Sequence, residues 1–287
     1  MSRPELTAPA YEFYNAAEAR KYTSSSRVIE IQNRLTERAV ELLNFPSDGV
    51  PRLLLDIGCG SGLSGDCLTR LGHEWIGTDL SLDMLAVARE RFVAGCLINF
   101  DMGHGCPFRP GVFDGCISIS AVQWLCNADN YLHDPRKRLA AFFTQLYRCL
   151  KRGAKAVLQF YPECPKQAEM ITSAALRVGF SGGLVVDYPN STRAKKYFLV
   201  LAAGHPDSIT SDNLENRQER TVVLSGTVPP RATQCGRPNN KQKSILSQKS
   251  EGHGKSWILR KKERALRKGK RTASDSKYVG RKRKDRF

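Results

Sequence analysis

The chain has 287 residues, 41% of them hydrophobic, which allows one large α/β unit with an appendage. Its formal charge is +17, but residues 236–287 hold 19 Lys or Arg against 4 Asp or Glu, so +15 sits in that tail and +2 in all the rest. A near-neutral body with a polycationic tail points to a polyanionic partner, nucleic acid foremost, and no apolar run is long enough to span a bilayer.

Residues 1–15 contain prolines and little pattern, and are expected to be flexible. Their opening has no apolar core of the kind a secretory signal needs. A helical pattern runs over residues 16–43, with Val28, Ile31, Leu35, Ala39 and Leu42 on one stripe and a break expected near residues 24–26. Turn chemistry over residues 44–49 ends it.

The apolar run Leu53, Leu54, Leu55 leads through Asp56 and Ile57 into Gly58-Cys59-Gly60-Ser61-Gly62. A buried parallel strand that ends in a glycine turn, followed by a helix from Leu63, is the first unit of an α/β nucleotide-type site. Gly60, Gly62 and Gly65 also satisfy G-x-G-x-x-G, but Asp56 argues against a dinucleotide, because a carboxylate there repels a pyrophosphate. It suits a cationic ligand without phosphate, such as S-adenosylmethionine. The pattern D-x-G-x-G-x-G resembles the glycine motif of class I S-adenosylmethionine-dependent methyltransferases. A second strand ends at Asp79, followed by Leu80, at a distance that suits an acid accepting from ribose hydroxyls.

A helix over residues 82–92, with Ser81 as N-cap, leads to a third strand: Cys96, Leu97, Ile98, Asn99 and Phe100. It leads to Asp101 and Met102: Asp101 is either placed to accept from an adenine amino group, with Met102 against the ring, or is an ordinary strand-end acid. The fourth strand, residues 112–119, runs into Ser120-Ala121-Val122-Gln123-Trp124-Leu125-Cys126-Asn127. In a doubly wound sheet this loop faces the first turn across the switch point. Gln123 and Asn127 can bond base edges, and Trp124 either stacks on a base or anchors the loop. Asp134 and Pro135 start a helix that Lys151-Arg152-Gly153 ends. A fifth strand over residues 154–161, a helix over 165–178, and two strands over 182–187 and 195–201 complete the pattern. The last two should pair antiparallel.

The nine cysteines are odd in number and have neither C-x-x-C nor zinc-ligand spacing, as expected of reduced thiols in an intracellular protein with no metal site. Residues 205–255 read as a linker, and residues 256–287 as a basic tail for RNA binding and nuclear targeting, with a compact cluster at residues 280–284.

Several segments carry a more specific resemblance: Phe13-Tyr14, residues 18–22, 54–62, Asp101-Met102-Gly103, FDGCISISAVQWLCN at 113–127, GFSGGLVVDYPN at 179–190 and YVGRKRKDRF at 278–287. Together they resemble the eukaryotic small-subunit (18S) ribosomal RNA guanine-N7 methyltransferases. The resemblance covers residues 11–204 and resumes at about Ser256. Residues 222–254 depart from the family's linker, and Phe100 stands where the family has glycine.

The resemblance implies a Rossmann-like class I fold, residues 16–204, with a seven-stranded, mostly parallel sheet and helices on both faces. It implies S-adenosylmethionine bound by Asp56, Gly58, Cys59, Gly60, Asp79, Leu80, Asp101, Met102 and Ser118. Ser120, Gln123, Trp124 and Asn127 would position the guanine. It implies work on pre-ribosomes in the nucleus, nucleolus and nucleoplasm, with the cytoplasm as a further place, and a small zinc-containing activator protein as partner. Residues 96–100 form an apolar, uncharged edge strand that such a partner could extend. Guanine N7 carries no proton, so no general base is expected. Two other readings stay open: a non-catalytic ribosome assembly factor that uses the fold as an RNA-binding scaffold, and a methyltransferase acting on protein or a small molecule.

Overall fold

The computed structural model describes residues 4–105, 107–128, 133–191, 194–204, 221–225 and 255–274. Three helices come first: α1 (Ala10–Phe13), α2 (Ala16–Ser24) and α3 (Ser26–Leu43). The expected break falls at Ser25, whose side chain caps α3 by accepting from the Val28 N–H. The α/β alternation follows as β1 (Leu53–Ile57), α4 (Leu63–Arg70), β2 (Glu74–Asp79), α5 (Leu82–Glu90), β3 (Cys96–Asn99), β4 (Phe113–Ile119), α6 (Pro135–Cys149), β5 (Leu150–Phe160) and α7 (Pro165–Val178). The chain then makes β6 (Phe180–Asp187), β7 (Lys196–Ala203), β8 (Thr221–Ser225) and α8 (Lys255–Arg267). Ser81 caps α5 and Asp134 caps α6 through the Arg136 N–H, with Pro135 in the first turn, as expected.

All strands share one sheet, in the order β3-β2-β1-β4-β5-β7-β6-β8. Strands β1 to β5 are parallel, β7 runs antiparallel to β5 and β6, and β8 is antiparallel to β6. The seven expected strands are all present in a Rossmann-like order, with β3 at one edge. The eighth is an addition from within the segment read as a linker. Its Thr-Val-Val-Leu run has the β-branched residues that suit a strand, and it extends the β6–β7 pair. The rest of that segment, and the basic cluster at residues 280–284, lie outside the described residues. Strand β5 starts at Leu150 instead of Ala154, because Leu150 pairs with Phe113 across a register shift.

Strand side chains alternate between two apolar layers, as in sheets buried on both faces. On one face Leu54, Ile117, Val157 and Phe198 pack with Leu35, Ala39 and Leu43 of α3 and Leu68 of α4. On the other, Leu55, Ile57, Cys116 and Leu158 pack with Phe142, Phe143 and Leu146 of α6 and Ile171 of α7. Each such side chain contributes roughly 1.5–3 kcal/mol by leaving water, so the strand ends that carry the site are held firmly. Among the described residues no helix is long and apolar enough to cross a membrane. Residues 4–15 differ from the flexible N-terminus expected: residues 4–6 form a 3-10 turn with Glu5 buried, and Asn15 caps α2. A contact from Arg267, far along the chain, holds them, and no local pattern encodes it.

Candidate functional site

Strand β1 lies between β2 and β4, so the chain's connections diverge there and open a crevice at the carboxyl ends. The crevice is a pocket walled by the β1–α4 turn, the end of β2, the Asp101 segment and the loop after β4. Gly58 has φ +73°, and a Cβ on it would stand 2.3 Å from the Ala121 Cβ, so only glycine lets the turn meet that loop. A Cβ on Gly65 would strike the Trp75 ring at 2.0 Å, so glycine seats α4 on β2.

Gly58, Cys59, Gly60, Asp79 and Leu80 line the pocket together. Asp79 Oδ2 accepts from the Gly60 N–H at 2.8 Å, and Oδ1 accepts from the Ser81 N–H at 2.8 Å. A carboxylate has about four acceptor positions, so these bonds do not exhaust it and a hydroxyl donor can still be accepted. Burial pushes its pKa up, while the N–H groups of Ser81, Gly60 and Leu80 pull it down. The vicinal hydroxyls of a ribose fit this arrangement. The Cys59 thiol is pushed well up by burial and by the charges of Asp56 and Asp79, so it is no nucleophile.

Asp56, expected to face the ligand, lies behind the pocket wall, because the first turn of α4 covers it. It is 0% exposed, its Oδ2 accepts from Ser64 Oγ at 2.6 Å, and its Oδ1 has no hydrogen-bond partner. Ser64 is the residue that reaches the pocket. Burial, with a smaller push from the charge of Asp79, raises the Asp56 carboxyl to a pKa of about 7 against the pull of the Ser64 bond. Ser118 is also fully buried; its Oγ donates to the Ile57 carbonyl at 2.8 Å and ties β4 to β1 beneath the site. Asp101 and Met102 line the pocket as expected. The Asp101 carboxylate is already engaged by Arg138 Nη2 at 2.6 and 2.8 Å and by the Gly103 N–H at 2.8 Å, so an adenine amino group would share it.

The loop after β4 is held in a strained form. Ser120 has φ +59° and lines the pocket; its N–H donates to the Gln159 carbonyl at 3.0 Å and its Oγ to Gln159 Oε1 at 2.7 Å. Gln123 Nε2 donates to the Ser120 carbonyl at 2.8 Å. Gln123 and Asn127 form a buried layer beneath the loop and do not line the pocket. Gln123 Oε1, Gln159 Nε2 and both polar atoms of Asn127 have no partner. Trp124 lines the pocket, and its ring meets Tyr14 at 5.9 Å and Phe13 at 6.3 Å, tilted in both cases. That favours its anchoring role.

A flap over the pocket completes it. Ala10, Tyr14, Tyr22 and Gln32 line it from above, and the Tyr14 carbonyl accepts from Ser81 Oγ at 2.8 Å. Burial raises both phenols, Tyr14 and Tyr22, so they stay neutral. Sequence reasoning missed the contributions of Tyr22, Gln32, Arg138 and Gln159. Two signals were present: Arg138 on the apolar stripe of α6, and an amide in the apolar stretch 156–160. Among the described residues no group of three His, Cys, Asp or Glu could hold a metal ion.

A family model described as "Methyltransferase domain" matches residues 55–158, and one described as "Methyltransferase involved in Williams-Beuren syndrome" matches residues 201–285. The chain is 54% identical to the 18S rRNA (guanine-N(7))-methyltransferase of Arabidopsis thaliana, over 100% of this chain and 99% of the relative. It is 50% identical to the enzyme of that name from Mus musculus, over 99% and 98%. It is 48% identical to the 18S rRNA (guanine(1575)-N(7))-methyltransferase of Saccharomyces cerevisiae, over 100% of both chains. With a class I methyltransferase fold, a pocket at its strand ends walled by Asp79 and Gly60, and identity of this extent along its whole length, the chain belongs to the 18S rRNA (guanine-N7)-methyltransferase family.

Proposed function

We propose that this chain methylates N7 of a guanine in 18S rRNA during assembly of the small ribosomal subunit, with S-adenosylmethionine as its cofactor. The observation that carries the reading is the apposition, across one pocket, of Asp79 and the glycine turn to a loop that presents strained Ser120 and Trp124. The bound cofactor supplies a sulfonium methyl group, which the N7 lone pair takes without loss of a proton. The residues fit that group: Asp79 offers acceptor positions for ribose hydroxyls, and Asp101 and Met102 border the adenine end. No side chain has to act as a base, and the raised pKa values of Cys59, Tyr14 and Tyr22 agree with that. What the protein supplies is alignment and exclusion of water under the flap.

The partner is a small zinc-containing activator that adds a strand to β3. Support comes from the edge itself: Cys96 is exposed, and Leu97 and Ile98 are half-buried. Leu82, which opens α5, and Phe92, in the turn between α5 and β3, are 68% and 92% exposed, apolar side chains that a partner would cover. The basic cluster at residues 280–284 supports action in the nucleus.

The direct test incubates the full chain with S-adenosylmethionine and small-subunit precursor particles, then maps 7-methylguanosine by borohydride–aniline cleavage. A single new cleavage in 18S rRNA is expected. Methyl incorporation into protein alone would refute the reading.

A further inference from the structure

The flap over the cofactor pocket is pinned at two places. Near its end the Tyr14 carbonyl accepts from Ser81 Oγ at 2.8 Å. Near its start the Arg267 guanidinium, 3% exposed, donates through Nη2 to the Glu5 carbonyl at 2.7 Å and also to the Ala8 carbonyl. The Arg267 carbonyl accepts from the Ala128 N–H, at the end of the loop that follows β4. Lys268 next to it pairs with Glu163, just before α7. The last turn of α8 therefore joins the flap, the substrate loop and the start of α7 at one point.

We infer that Arg267 is a positioning residue for the reaction: it closes the N-terminal flap on the cofactor without touching the cofactor. The argument is one of connection. Ala10 and Tyr14 line the pocket, and the flap reaches them directly from Glu5 and Ala8. Residues 4–9 form only a short 3-10 turn with no long element to hold them down, and Arg267 supplies two charge-assisted bonds to their carbonyls. α8 also carries exposed Arg260, Lys261 and Arg264, so the element that latches the flap is also part of the basic arm. The inference rests on the pocket being the S-adenosylmethionine site.

The test uses the full chain. Arg267→Ala should weaken S-adenosylmethionine binding about tenfold in calorimetric titration and raise its KM similarly, with kcat for methylation nearly kept. Hydrogen exchange at the amides of residues 5–14 should speed up in the cofactor-free variant, while the sheet keeps its protection. Arg267→Lys retains a cation within reach of the carbonyls and should fall between. Equal cofactor affinity in wild type and Arg267→Ala overturns the latch, as does a fall in kcat with KM unchanged. Wild-type protein that fails to bind S-adenosylmethionine refutes the assignment of the pocket instead.

Discussion

Replacing Asp56 by asparagine should stabilise the cofactor-free protein more at alkaline than at acid pH. The carboxyl is fully buried and its pKa stands at about 7 against an ordinary 3.8. Below pH about 4 it is protonated in both the folded and unfolded chain and costs nothing. Between pH about 4 and about 7 the unfolded chain ionises first, so the native state loses ground as pH rises. Above that the loss levels off. At 1.36 kcal/mol per pH unit, it amounts to about 2 kcal/mol at pH 5 and about 4 kcal/mol at pH 8. Asparagine keeps an acceptor for Ser64 and adds a buried NH2 group, whose cost is the same at both pH values. The difference between the two pH values therefore isolates the proton. Urea unfolding followed by tryptophan fluorescence should show the variant gaining about 2–3 kcal/mol on wild type from pH 5 to pH 8. A gap below about 1 kcal/mol would mean that Asp56 titrates near its ordinary value, and that something other than Ser64 satisfies it.

Asp79→Ala should lower S-adenosylmethionine affinity by about a hundredfold, since charge-assisted hydroxyl bonding to the carboxylate and its hold on the Gly60 N–H are both lost; equal affinity by calorimetry contradicts the ribose assignment. Gln123→Ala and Asn127→Ala should keep cofactor binding and lose turnover, seen as a drop in kcat with an unchanged cofactor Kd. Gln159→Leu releases the Ser120 hydroxyl from its acceptor and should cut kcat roughly tenfold, again at constant cofactor Kd. Co-expression with the activator should fail to give a complex when Leu97 and Ile98 are both replaced by glutamate. A soluble, partner-bound double variant would place the interface elsewhere.

The sheet was legible because its strands are short apolar runs buried on both faces, bounded by glycine turns and capped helices. The loop at residues 120–127 was legible because its position follows from the strand order. Asp56 shows where such reading stops. The end of a strand says that a carboxylate is near the ligand, but not that the first turn of α4 inserts Ser64 between them. A helix upstream of β1 that closes over the pocket was one of two readings of residues 16–43, but the part of the flap before it, residues 4–15, was not legible as a closed element. Glu5 and Ala8 are tied to Arg267, more than 250 residues along the chain. Contacts of that separation leave no periodicity at either end. Strand β8 is a different case, since Val222, Val223 and Leu224 carry the strand pattern plainly; the polar sequence around them drew the linker reading.

A scaffold that only bound RNA would have no use for the layer under the loop. Gln123, Asn127 and Gln159 are each at most 4% exposed, yet four of their polar atoms are unsatisfied. Each unmade bond in such surroundings costs about 1–3 kcal/mol, and leucine would fit a buried layer at less expense. These amides are closed off from the pocket as it stands, so the cost becomes useful if the loop turns on substrate entry and brings them to an edge with both donors and acceptors. Guanine has such an edge, with O6 to accept and N1–H and the 2-amino group to donate. A base that lacks this pattern would leave the amides unpaired, so the same atoms that destabilise the empty loop would discriminate among bases. Discrimination of this kind needs no charged side chain and no proton transfer. That fits a reaction at N7, where the nucleophile is ready as it stands and the protein's task is to choose the base and aim it.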